Sequence, residues 1–251
     1  MNSDRSVITP DWPAPERVRA VSTTRLGGIS PAPWDSMNLG NHVGDDPRHV
    51  QENRQRLAAM AELDLCNVGW LAQVHGTDVV SLPVAGVPKA DASHTGQAGH
   101  GCVIMTADCL PVLLCDVSGT RVGAAHAGWR GLCDGVLEAL VNDMKGNPAE
   151  LMAWLGPAIG PRQFEVGAEV REAFLLHDPA AADAFSEQGA RAGHYMADIY
   201  LLARQRLAAS GVSQVYGGDR CTVSEPETFF SYRRDGQTGR MASMIWLSDN
   251  A

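Results

Sequence analysis

Apolar positions along the chain follow two periodicities, and each predicts a kind of element. Residues 18–23 alternate in the two-residue rhythm of a strand. Residues 101–107, 111–116 and 121–126 are short continuous runs rich in Val, Ile and Leu, bounded by Asp, Ser and Gly, and read as buried strands. Ser118-Gly119 turns the second of these into the third, and residues 151–155 form another buried strand. A helical rhythm begins after Asp46-Pro47, an N-cap followed by proline at the first helical position, and runs to about Ala61 with Val50, Arg54, Leu57 and Ala61 on one face. Leu132, Val136 and Leu140, with Gly146 beyond the end, predict a helix over 131–144; a further helix over 196–209 stops before Gly211. Near the C-terminus Asp235-Gly236 reads as a hairpin turn between Phe229 and Met244. Strands in hairpins alternating with helices predict an α/β fold of mixed α+β layers, with helices packed on a sheet.

Composition narrows the class. At 251 residues, 45% hydrophobic and 20% charged, the chain can bury one sizeable core, and the expectation is a single domain over 1–251. Residues 1–17, with Pro10, Pro13 and Pro15, are expected to be a loosely ordered N-terminal segment. Twenty basic against 29 acidic residues give a net charge of −9, which argues against nucleic-acid or anionic-membrane partners because neutralising phosphates needs a clustered basic surface. All the basic residues except Lys89 and Lys145 are Arg, whose planar fork of donors can still hold a phosphate inside a cleft. The first twenty residues contain no apolar signal core, and no run approaches the ~18 apolar residues of a spanning helix, so a cytoplasmic protein is expected. Cysteines at 66, 102, 109, 115, 133 and 221 lie mostly in apolar runs and form no C-x-x-C pair; reduced buried thiols are the expectation.

Neither Lys has a P-loop context, and G-x-G-x-x-G, G-x-S-x-G and H-E-x-x-H are missing. Chemically capable residues instead interrupt the buried runs at 73–78, 106–111 and 125–131, each at a strand end beside small residues. His75, Cys109 and His126 together would supply two imidazoles and a thiolate, leaving a fourth position open as catalytic zinc requires. The same residues also suit a metal-free pair, Cys109 as nucleophile and His126 as base, with a carboxylate orienting the imidazole. Both histidines could equally be satisfied interior residues and Cys109 a small apolar filler. Gly128-Trp129-Arg130-Gly131, between a strand and a helix start, suits either an anion site or a turn with a solvated Arg. In the C-terminal region Phe229, Phe230 and Tyr232 accompany Arg233, Arg234 and Arg240, a mixture able to stack a base and bind phosphate.

Several motifs in one order resemble the YfiH family, also described as laccase-domain or multifunctional purine nucleoside phosphorylase proteins. They are residues 23–30, Met37-Asn38-Leu39-Gly40, Gly44-Asp45-Asp46-Pro47, Gln73-Val74-His75-Gly76, residues 106–112, residues 125–131, residues 155–160, Phe164-Glu165-Val166-Gly167 and Tyr232-Arg233-Arg234-Asp235-Gly236. The resemblance implies one domain similar to the catalytic domain of cytotoxic necrotizing factors and metal ligands at His75, Cys109 and His126. It also implies phosphorolysis of adenosine, inosine and S-methyl-5′-thioadenosine, with deamination of adenosine in the same pocket. Phe164 stands where many members have Tyr, and Gln163 where that Tyr is preceded by Cys, so a second thiol near the pocket is absent. The family's older description is a copper phenol oxidase. The eight His are scattered without one H-x-H, unlike a multicopper centre, although Cu2+ can occupy an N/S site by its intrinsic affinity.

The leading expectation is therefore a Zn2+ enzyme acting on purine nucleosides, a monomer or homodimer whose partners are a small-molecule nucleoside and phosphate. Asp108 and Glu165 are candidate proton carriers, and Arg54, Arg130, Arg233, Arg234 and Arg240 candidate phosphate ligands. The alternatives are a Cys–His hydrolase or amidase built on Cys109 and His126, a copper-dependent phenol oxidase, and a non-catalytic nucleotide-binding module stapled by zinc.

Overall fold

A computed structural model describes residues 6–187 and 189–249. The fold is mixed α/β, with two large sheets and a small one. The five-stranded sheet has the order β1 (Val7–Ile8), β2 (Val18–Thr23), β14 (Met241–Leu247), β6 (Gly101–Thr106) and β3 (Val68–Gly69). The six-stranded sheet has the order β13 (Gln214–Gly217), β9 (Leu151–Leu155), β7 (Leu110–Asp116), β8 (Val122–Ala127), β5 (Ala92–Thr95) and β4 (Val79–Ser81). A three-stranded sheet comprises β10 (Glu165–Gly167), β12 (His194–Ala197) and β11 (Phe185–Ser186).

Strand alternation explains the layering. On β7, Leu110, Val112 and Leu114 face helices, while Leu113 and Cys115 join Ile104 of β6 and Ile245 of β14 between the two large sheets. On β6, Val103 and Met105 face the other way, toward Leu57 and Ala58 of α1 (Pro47–Met60). Both central sheets are thus covered on two faces, which is why their strands read as unbroken apolar runs. Outside the six-stranded sheet lie α2 (Trp129–Asp134), α3 (Val136–Met144), α4 (Ala168–His177) and α5 (Ile199–Ala209).

Local chemistry sets the helix boundaries. Asp46 caps α1 by accepting the Arg48 N–H, with Pro47 in the first turn. The single helix expected over 131–144 is two, because Gly135 adopts φ 101°, a left-handed conformation that ends α2 before α3 begins. The helix expected from 196 starts at Ile199: the Asp198 side chain accepts the Tyr200 and Leu201 N–H groups, and Met196 belongs to β12. The hairpin expected at Asp235-Gly236 is instead a single helical turn, α6 (Tyr232–Asp235), capped by the Ser231 side chain, with Phe229 and Phe230 buried before it. In the N-terminal segment Val7–Ile8 pairs with β2, and Ile8, Trp12 and Ala14 pack on the inter-sheet core; residues 1–5 lie outside the described residues. Among the described residues no helix is long and apolar enough to cross a membrane.

Candidate active site

Two crossovers between the large sheets carry the site. Residues 107–109 turn from β6 of one sheet into β7 of the other, and residues 70–78 pass from β3 to β4 in the same sense. His126 stands on β8 opposite Pro111 of β7. His75, Cys109 and His126 consequently converge, with their donor atoms within 4.8 Å of one another. The Cys109 Sγ lies 3.7 Å from His75 Nε2, and the two imidazoles meet edge-on with centroids 4.7 Å apart.

A fully buried carboxylate not anticipated from the sequence positions both histidines. Asp91 accepts the His126 Nδ1–H at 2.8 Å, the His75 N–H at 2.9 Å and the Gly76 N–H at 2.7 Å. Val74 N–H adds a further bond, and the Asp91 carbonyl accepts the His126 N–H. The first of these bonds fixes the His126 tautomer and leaves Nε2 for the site. The second group helps to hold His75 at φ 63°, a conformation uncommon outside glycine. Gln73 ties the same loop to β6 by exchanging two 2.8 Å bonds with the backbone of Met105.

Gly128 and Gly131 serve this convergence. A Cβ at Gly128 would lie 2.8 Å from His75 Cδ2 and 3.0 Å from Cys109 Sγ, and one at Gly131 would lie 2.8 Å from the Gly76 carbonyl. Both glycines thus admit the site's own loops.

Electrostatics follow from the clustering. Burial opposes ionisation of the Cys109 thiol, yet His126 and then His75 outweigh it and bring it down to about 6. Burial likewise opposes charging of His126, but the Cys109 thiolate and Asp91 raise it to about 9. Cys102 and Cys115, buried without such partners, are pushed up to about 12. A second group of donors, Cys133, Asp134 and His177, has only one imidazole, and burial and Asp134 raise its thiol.

The triad lies at the meeting of two cavities that share Ala107, Cys109 and Tyr232. One, of about 370 Å³, is lined by His42, Gln73, His75, Met105, His126 and Arg240 among others. The other, of about 280 Å³, is walled by Trp129, Ile159, Phe164 and Ile199, with Arg130 and Arg233 at its edge.

Residues 19–248 match the family described as multi-copper polyphenol oxidoreductase laccase. The purine nucleoside phosphorylase YfiH of Escherichia coli K12 is 59% identical over 245 residues, covering 96% of this chain and 98% of that protein. The chain belongs to the YfiH family. A purine nucleoside phosphorylase of Pseudomonas aeruginosa is 58% identical over 242 residues, covering 96% of this chain and 98% of its own. Among solved structures, a Neisseria meningitidis protein superposes with a TM-score of 0.93 at 51% identity, over 97% of this chain and 99% of that one. The Bacillus licheniformis YfiH structure superposes with a TM-score of 0.90 at 30% identity, over 98% of each chain.

In this YfiH-family chain the remaining expected residues separate into distinct roles. Each oxygen of Asp108 accepts a hydrogen bond, from the Thr222 hydroxyl and the Arg233 N–H, each at 2.6 Å, and these bonds tie α6 to the site. Glu165 pairs with Arg191 and lines a different cavity, with Pro161, Arg162 and Ser186. Arg234 spends its donors on Asp235 and on the carbonyls of Thr222, Val223 and Phe229. Arg233 donates to the carbonyls of Gln163 and Glu165, and Arg130 is exposed, its guanidinium 4.4 Å from the Trp129 ring centroid. Arg130 is the second residue of α2, a helix of only six residues. Arg54 and Arg240 are both half-buried and form no ion pair among the described residues. Cys66, expected among the buried thiols, is exposed because it sits in a surface 3-10 turn.

Proposed function

We propose that this chain is a purine nucleoside phosphorylase acting on adenosine, inosine and S-methyl-5′-thioadenosine, with zinc held by His75, Cys109 and His126. The observation that carries the reading is the convergence of two imidazoles and a low-pKa thiol at the floor of a cleft, in a chain 59% identical to the E. coli protein of that name. The donor set fits the metal: two N and one S donor form an open zinc site, and Asp91 supplies the second-sphere carboxylate that such histidines require. When bound, zinc supplies Lewis acidity and stabilises developing negative charge.

The chain's own groups do the positioning. Asp91 keeps the His126 ring and the His75 loop in place, so neither imidazole must reorganise when substrate arrives. Trp129, Ile159, Phe164 and Ile199 offer a flat apolar lobe that excludes water from a purine. Asp108, through Arg233, holds the α6 turn so that Tyr232 faces both lobes.

Incubation with each nucleoside, with and without inorganic phosphate, tests the reading: ribose 1-phosphate formed only with phosphate supports it, and free ribose formed equally without phosphate overturns it. Inosine accumulating from adenosine would add deamination in the same pocket. A second reading has a specific observation in its favour. Asp91, His126 and Cys109 form an acid–base–nucleophile series, with the thiol held near its ionised form. Full activity after complete chelation, with elemental analysis showing no metal, favours that metal-free hydrolase.

A further inference from the structure

Arg240, which lines the cleft, and Arg54 near it form no ion pair among the described residues, in a chain whose acids outnumber its bases. Arg240 lines the larger lobe beside His75 and Cys109. Its Nη1 donates to the carbonyls of Thr238 and Gly239, at 3.1 and 3.0 Å, while Nε and Nη2 have no partner among the described residues. Neither of those nitrogens is among the fully buried unpartnered atoms, so both remain open to a ligand. Arg54 stands behind it, 3.8 Å over the Trp70 ring, donating to the Leu39 carbonyl and the Met105 sulfur. No carboxylate lies within ion-pairing distance of either guanidinium among the described residues. Burial, and then the fields of Arg240 and Arg54, hold the His42 imidazole below its usual range, which locates all three groups in one positive region.

The Met37-Asn38-Leu39-Gly40 segment builds this region. Asn38 Oδ1 accepts the N–H groups of Gly40 and Arg240, at 3.0 and 2.9 Å, stapling the loop to the start of β14. Gly40 makes room for the arginine stem, since a Cβ there would lie 2.8 Å from Arg240 Cγ. The other candidate guanidiniums fit less well: Arg234 is saturated, and Arg130 and Arg233 are exposed and line the apolar lobe, Arg130 against Trp129 and Arg233 with its Nη1 on the Gln163 and Glu165 carbonyls.

We propose that the two lobes divide the substrates: Arg240 and His42, backed by Arg54, bind the attacking inorganic phosphate, and the apolar lobe of Trp129, Phe164 and Ile199 binds the purine. This rests on the phosphorylase reading. It fits the stereochemical demand of phosphorolysis, because the entering and leaving groups must occupy opposite faces of the reacting carbon. With Cys109 and Tyr232 common to both lobes, the ribose C1′ sits at their junction. A phosphate oxygen forms the new C1′–O bond as the C1′–N9 electron pair departs onto the purine. The proton lost by monohydrogen phosphate is the one gained by the free base, so ribose 1-phosphate and neutral purine leave with no further reactant.

The test combines steady-state kinetics, varying phosphate and nucleoside separately, with thermal shifts produced by inorganic phosphate alone on protein of measured metal content. Arg240→Gln is expected to raise the phosphate KM roughly ten- to hundredfold, the loss of a charge-assisted bond, while the nucleoside KM stays within about twofold. His42→Asn raises the phosphate KM by a smaller factor. Phe164→Ala shows the opposite split, raising the nucleoside KM. A phosphate KM that rises in Arg130→Gln and not in Arg240→Gln overturns the proposal, as does an equal effect of Arg240→Gln on both constants. Should Arg240→Gln fail to fold, Arg240→Lys and the rim substitution His42→Asn decide in its place. If the wild type forms no ribose 1-phosphate, the phosphorylase reading fails, and the thermal shift still judges the anion lobe. Stabilisation by phosphate that is lost in Arg240→Lys and His42→Asn upholds it; no stabilisation of the wild type overturns it.

Discussion

Replacing Asp91 with Asn alters one charge and almost no volume, and the cost follows from counting bonds. The carboxylate accepts from His126 Nδ1, from His75 and Gly76 N–H, and from Val74 N–H through both oxygens, and it is fully buried. An amide retains one acceptor. If its oxygen keeps the Oδ1 position, His75 and His126 stay bonded while the NH2 group opposes the Gly76 N–H, donor against donor. A buried N–H left without an acceptor costs about 1–3 kcal/mol, and weakening the charge-assisted bonds adds a comparable amount. These losses overlap, so about 3 kcal/mol is expected, or a fall in Tm of roughly 6–12 °C for a chain of this size.

Metal retention suffers separately, because the His126 ring loses the acceptor that sets its tautomer and basicity; a fall of about 10–100-fold in affinity is typical for such a change. Thermal unfolding of metal-free protein isolates the structural loss, and competition against a chromophoric chelator measures the metal. A variant with both quantities unchanged would mean that Gln73 and the packing of Gly128 and Gly131 suffice to place the histidines.

Gly131→Ala should displace the His75 loop, since the new methyl would stand 2.8 Å from the Gly76 carbonyl; a loss of about 1–3 kcal/mol and a steep fall in turnover are expected, and wild-type values in both would show that the close approach is unimportant. Cys109→Ser should abolish metal retention and turnover while exposed Cys66→Ser leaves both intact, as elemental analysis and kinetics on the same preparations will show; parallel losses would mean that the thiols act only through stability. Asp116 gives a pH dependence: burial opposes its ionisation, but bonds from Thr120 and Arg121 outweigh it and lower its pKa. A depressed folded pKa means that stability is present above the unfolded value near 4 and is lost as pH falls through the folded value, so Asp116→Asn should flatten the acid-side decline in urea midpoints. An equally steep decline would assign acid sensitivity to other carboxylates.

How much of this was legible in the sequence depended on how local the cause was. The buried runs at β6, β7, β8 and β9 announced themselves because both faces of each strand are covered, so polar residues are confined to their ends. The Asp46-Pro47 start of α1 depends on adjacent residues and was equally readable. Gly135 was lost inside a helical rhythm because one left-handed residue leaves the apolar spacing on either side intact. The three convergent side chains were visible as polar interruptions at strand ends, whereas Asp91 resembled an ordinary strand-flanking acid: its partners lie 15 to 17 and 35 residues away. The candidate phosphate ligands were indistinguishable for the same reason. Among five candidate arginines, type and local context are alike, and only the tertiary structure separates the saturated guanidinium of Arg234 from the open one of Arg240.

That asymmetry reflects how the site is built. His75 and Cys109 occupy two of the crossovers between the large sheets, where the chain leaves one hydrogen-bonded ladder before joining the next. Free backbone groups at such crossovers must find partners, and here Asp91 takes the N–H groups of one while the Asp108 carbonyl accepts the Ile159 N–H at the other. The Asp91 carboxylate also fixes the His126 ring and the His75 loop, so stability and site geometry are not independent. Loosening the Asp91 clamp should therefore reduce metal retention before it reduces secondary structure. Asp108→Asn distinguishes the two, because its bonds to Thr222 and Arg233 hold α6 rather than the histidines. It should raise the KM for both substrates through Tyr232 and leave metal affinity near the wild-type value, whereas loss of metal from Asp108→Asn would show that the two crossovers act as one unit.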